Sequence, residues 1–90
     1  MSWTEEQKKA VWKKADTIPG VDADVQRKDQ CGATIKWAEH GNRDSKQGWE
    51  IDHIKPTSQG GTDDISNLRP LQWENNVATS DGRLTCSVTA

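Results

Sequence analysis

Residues 48–82 read GWEIDHIKPTSQGGTDDISNLRPLQWENNVATSDG, and the rest of the chain makes sense around them. In an extended segment Trp49, Ile51 and His53 share one face, while Glu50, Asp52 and Ile54 share the other. Residues 55–64 (KPTSQGGTDD) form a loop too long and too rich in Pro, Ser, Thr and Gly for a tight hairpin turn. Residues 65–71 predict a second short strand, with Pro70 near its end, where a missing N–H is tolerated. Residues 72–79 predict a short helix that Ser80-Asp81-Gly82 ends, with Gly82 well placed after the last turn. The order is strand, strand, helix. It gathers an Asp52-His53 pair, Asn67 and an Asn75-Asn76 pair.

Upstream, Ser2-x-x-Glu5 has the form of a capping box, and residues 7–17 are good helix formers up to Pro19-Gly20. Val11, Ala15 and Ile18, with Trp12 beside them, give that helix one apolar face. Lys8, Lys9, Lys13 and Lys14 read as its solvated face. Residues 21–29 predict a loop, and residues 30–38 a short strand with alternation at Ala33, Ile35 and Trp37. The turn-rich residues 40–48 predict an exposed loop. The tail, RLTCSVTA, carries β-type residues without an obvious partner. The expectation is one small α+β domain over residues 1–90: a helical support in residues 1–30, a short antiparallel sheet, and a ββα unit at 48–82.

Ninety residues permit only a modest core. An apolar fraction of 31% and a mean hydropathy of −0.97 would suit a partly disordered chain. Five Trp and a net charge of only −2 argue instead for a compact fold on few large anchors. The weak acidity counts against tight nonspecific DNA binding. Cys31 and Cys86 are accompanied by no CxxC pair, so a structural zinc is not expected. A disulfide between them is geometrically allowed. Without an apolar leader at the N-terminus, the expectation is a reduced, cytoplasmic protein, with Cys31 a small buried hydrophobe. No apolar run is long enough to span a bilayer.

DHIKPTSQGG, then SNL, then WENN resemble the motif of the HNH endonucleases, the ββα-metal nucleases. CGATI just upstream resembles a segment that precedes the motif in small bacterial members. The resemblance implies hydrolysis of DNA phosphodiester bonds with one divalent metal ion, giving 5′-phosphate and 3′-hydroxyl ends. A hard ion such as Mg²⁺ takes oxygen ligands and keeps several waters, so one carboxylate and one carboxamide suffice. Mn²⁺, Ni²⁺ or Zn²⁺ are also accommodated by such a set. Asp52 would supply the carboxylate, and Asn76 the carboxamide by its match to the motif's last position. His53 is the natural general base, because its ordinary pKa of about 6.5 leaves it largely neutral near pH 7. Asn67 would, by resemblance, hold the loop and orient the imidazole through a hydrogen bond.

Helix geometry supports the choice of Asn76. It lies three residues after Trp73, on the face expected to pack on the strands, and Asn75 points about 100° away. Asn75 therefore reads as a surface or phosphate-contacting residue, with Lys55, Arg69 and Arg83 as further candidates for nucleic-acid contact. Two departures from the family pattern stand out. The paired CxxC sets of many members are missing, with Trp73 a candidate replacement anchor, and Thr79 stands where many members carry a basic residue. In a regular strand Asp52 and His53 point to opposite faces, so both reach one site only if the strand ends or bulges at His53. Taken singly, each of these residues has an ordinary structural role: a strand-end histidine, a loop cap, a turn asparagine. Their order favours catalysis. The alternatives are a nucleic-acid-binding module without turnover, or an interaction domain within larger phage or mobile-element machinery.

Overall fold

The computed structural model describes residues 3–79 and 82–90. Helix α1 spans Glu5–Trp12 and begins at Thr4, whose hydroxyl accepts from the Gln7 amide while the Gln7 side chain accepts from the Thr4 amide. The capping box thus sits at Thr4–Gln7; Ser2 lies outside the described residues. The helix is shorter than residues 7–17 predicted. Its end is set by Asp16, whose N–H and C=O both pair with Lys28 at 2.8 Å and pull the chain out of helical geometry.

That pairing also explains a strand where a loop was expected. Strand β1 (Gln26–Lys28) pairs antiparallel with β2 (Thr34–Lys36), in the register Arg27 opposite Ile35. Three-residue strands carry too little periodicity to announce themselves. Trp37–Glu39 then forms a 3-10 turn. Strand β3 (Trp49–His53) pairs antiparallel with β4 (Leu68–Gln72), Asp52 lying opposite Arg69. The two hairpins are separate two-stranded sheets. Residues 65–67, expected to begin the second strand, form a 3-10 turn instead, so β4 starts at Leu68. Helix α2 spans Trp73–Ala78, with the Gln72 side chain accepting from the Glu74 and Asn75 amides as its cap. The fold is α+β, as the sequence predicts.

The core joins α1 to both hairpins. Val11, Trp12, Ala15, Ile35, Trp49, Ile51 and Leu68 are buried together, and Trp3, Trp37 and Ile65 pack against them. Trp12, Trp37 and Trp49 form a mutual aromatic cluster with ring centroids 5.2–5.9 Å apart. Aromatic pairs of this kind contribute about 0.5–1.5 kcal/mol beyond the area they bury. Trp73 is not part of it; its indole donates to the Ser45 carbonyl at 3.0 Å. Among the α1 lysines, Lys14 is more than a solvated charge. Its ammonium donates to the carbonyls of Ile65 and Leu68 and fixes the entry into β4.

Cys31 and Cys86 form a disulfide across a sequence separation of 55. The expectation of reduced thiols is overturned, and the argument from free thiols to a cytoplasmic location loses its premise. The tail that lacked a partner is fastened to the turn between β1 and β2. Among the described residues, no helix is long and apolar enough to cross a membrane.

Candidate active site

The last residues of β3 and the second turn of α2 meet at a pocket of about 250 Å³, lined by Ile51, Asp52, His53, Pro56, Thr57, Asn76, Thr79 and Gly82. The pleat is resolved by termination. β3 keeps its pairing without a bulge, ends at His53, and the chain bends away at Ile54 and Lys55. Asp52 and His53 therefore both border the opening at the strand's end.

The loop from 55 to 64 is closed by Asn67. Its Oδ1 accepts from the Lys55 amide at 2.8 Å, and its Nδ2 donates to the Lys55 and Thr62 carbonyls at 3.1 and 2.8 Å. Both ends of the loop are thus held by one carboxamide. Gly61 is required for the fold-back, because a Cβ there would lie 1.8 Å from the Lys55 carbonyl oxygen. Gly82 forms the far wall at φ +87°, where a Cβ would meet Pro56 Cδ at 2.9 Å. The Asn67 side chain is spent on the loop, and the imidazole finds a different partner. His53 Nε2 lies 2.7 Å from Asp63 Oδ1, and the ring packs tilted on Trp3 at 5.7 Å. Asp63 had no signal in the sequence beyond being one of two acids at the end of a polar loop.

Asp52 is largely buried, and its Oδ2 accepts from Arg69 Nε at 2.7 Å. Burial pushes its carboxyl above the usual carboxylate range, although the Arg69 guanidinium and the neighbouring His53 pull the other way. Arg69, expected as a surface contact to nucleic acid, is instead only 8% exposed. Its place opposite Asp52 across the hairpin turns it inward.

Asn76 donates through Nδ2 to Glu50 Oε1 at 2.8 Å, which leaves its oxygen as the acceptor end of the amide. Glu50 is fixed in turn by Arg43, which donates to Oε2 at 2.8 Å and Oε1 at 2.9 Å. Burial works to raise the Glu50 carboxyl, but the hydrogen bonds from Arg43 and Asn76 hold it below its usual range. The sequence had placed Glu50 on Asp52's face without a partner.

Asn75 is the clearest correction. It is completely buried, not a phosphate-facing surface residue. Its Nδ2 donates to Asp29 Oδ2 and to the Val88 carbonyl, both at 2.9 Å. Its Oδ1 accepts from the Ser87 and Val88 amides at 2.7 Å. The tail and Asp29 cover the side of α2 that had been assigned to solvent. Asp29, buried and unremarked in the sequence, also accepts from the amides of Cys31, Ala33 and Gln72. Lys55 and Arg83 are exposed.

The donor set fits a hard divalent ion. One partly desolvated carboxylate and one carboxamide oxygen border the same opening, and a carboxylate retains lone pairs beyond the one that Arg69 engages. Among the described residues no group of three or more His, Cys, Asp or Glu could hold a metal.

No curated protein and no solved structure matches the chain. The HNH endonuclease family model matches residues 29–81, from the buried Asp29 through the ββα unit and past the end of α2 at Ala78. More than half of the chain is covered, and every residue lining the pocket except Gly82 lies inside the matched span, so the protein belongs to the HNH endonuclease family, whose activity in general is that of a nuclease.

Proposed function

We propose that the protein is a divalent-metal-dependent endonuclease that hydrolyses DNA phosphodiester bonds, leaving 5′-phosphate and 3′-hydroxyl ends. The reading is carried by one observation: Asp52, His53 and Asn76, from two different elements, line a single pocket.

In this reading Asp52 and Asn76 hold the ion, most simply Mg²⁺. When bound, the ion supplies charge stabilisation at a phosphate oxygen and at the departing 3′ oxygen. His53 accepts a proton from the attacking water. Its Nε2 faces a carboxylate, an acceptor, so the ring proton belongs on Nε2 and Nδ1 keeps the lone pair that a general base needs. Asn67 fixes the loop that carries Asp63 and so holds the imidazole's surroundings in place. Glu50 and Arg43 orient the Asn76 amide so that oxygen, not nitrogen, is presented. Arg69, buried against Asp52, keeps that carboxylate in position. Lys55 and Arg83, on exposed segments flanking the pocket, contact the DNA backbone.

Plasmid cleavage across a series of Mg²⁺, Mn²⁺, Ni²⁺ and Zn²⁺ tests the reading. Wild type should cut and His53→Ala should not, with circular dichroism unchanged. Full cleavage by His53→Ala would overturn it.

A further inference from the structure

Asp63 stands outside the set of residues that the motif marks, yet it is the hydrogen-bond partner of the proposed base. We propose that Asp63 is a positioning residue for catalysis, holding His53 in the tautomer and ring orientation that leave Nδ1 free to accept a proton; this rests on the reading of His53 as the base. Three observations carry it.

The contact is short, 2.7 Å from His53 Nε2 to Asp63 Oδ1, within the range of charge-assisted hydrogen bonds. The Asn67 carboxamide is engaged with Lys55 and Thr62 at opposite ends of the loop, so the orienting task falls to another group. And Asp63 sits directly after Thr62, whose carbonyl Asn67 grips, and before Asp64, whose carbonyl accepts from the Asn67 amide at 2.8 Å. The backbone on both sides of Asp63 is anchored by one residue. A side chain at the surface of a polar loop would otherwise lose considerable rotamer freedom in reaching the ring. Here the loop has already placed it.

The chemistry follows from the donor and acceptor inventory. Ionised Asp63 only accepts, so its partner nitrogen must be the protonated one. When a water proton moves to Nδ1, the ring becomes an imidazolium with a proton on each nitrogen. The carboxylate then faces a positive charge and stabilises it. Trp3 closes one side of the ring and restricts its rotation.

The test uses the full chain. Nitrogen-detected NMR of the His53 side chain, without added metal at fixed neutral pH, should show the Nε2–H tautomer in wild type and a measurable Nδ1–H fraction in Asp63→Ala. Plasmid cleavage in Mg²⁺ by Asp63→Ala should fall about 10–100-fold in kcat with KM for DNA unchanged. Asp63→Asn, which keeps an acceptor oxygen, should recover part of the loss. An unchanged tautomer in Asp63→Ala would overturn the proposal, as would wild-type kcat in that variant. A loss seen only in KM would assign Asp63 to DNA contact and overturn it equally. Cleavage by His53→Ala is read separately: its persistence removes the base, whereas the NMR result reports on the ring's partner whichever way that assay falls.

Discussion

Asn75 and Asn76 are adjacent and chemically the same, and the fold separates them by partner. Asn76 turns its amide nitrogen to Glu50 at the edge of the pocket. Asn75 fills the interior with four hydrogen bonds, to Asp29 and to the backbone of residues 87 and 88. Replacing Asn75 by alanine leaves the Asp29 carboxylate short of a donor and uncovers backbone groups of the tail. Such losses cost about 1–3 kcal/mol per stranded group. Asn75→Ala should therefore lower stability by about 3 kcal/mol in urea denaturation, on the same principle, without changing DNA affinity of the folded protein. A stability equal to wild type, with weakened DNA binding, would return Asn75 to the surface role.

At the scale of elements, β3 and α2 are joined at the pocket by a polar contact. The chain runs from Arg43, in the loop before β3, through Glu50 on β3 to Asn76 on α2. Short helices are marginal on their own, and the six residues of α2 depend on what they dock against. Glu50 accepts from the Asn76 amide nitrogen and so orients that side chain. If Asn76 is a metal ligand as proposed, Glu50→Ala should weaken Mn²⁺ binding about 10–100-fold by isothermal titration, the usual cost of removing a residue that orients a ligand. Retention of wild-type affinity would show that the amide is oriented without it. The same scale explains the error in the first helix. Residues 13–17 have helical propensity, but the two hydrogen bonds between Asp16 and Lys28 outweigh it.

For the molecule as a whole, the disulfide is the long-range fastener. It ties the tail to the turn between β1 and β2, and from there the tail closes on Asn75 and Thr79. A 90-residue chain with a modest core gains most from such a cross-link, because it removes entropy from the unfolded ensemble. Cys86→Ser, or reduction of the native protein, should lower stability by about 2–4 kcal/mol in urea denaturation. An unchanged midpoint would mean that the Asp29–Asn75 network alone holds the tail.

The sequence by itself determined the ββα order and the α+β class, and it proposed Asp52, His53, Asn67 and Asn76 as the site, three of which, Asp52, His53 and Asn76, line one pocket. These rest on local pattern: alternation in β3, glycines in the loop, a polar helix after Pro70, and an ordered motif. Tertiary structure alone decided which asparagine is buried, that Arg69 turns inward, that Asp63 meets the imidazole, and that Cys31 and Cys86 join. Each of these depends on a partner in another segment, such as Asp29 for Asn75 or Asp52 for Arg69. Local periodicity specifies the face a side chain takes on its own element. It carries no information about what another segment places opposite that face, and here the tail and the loop supplied the partners.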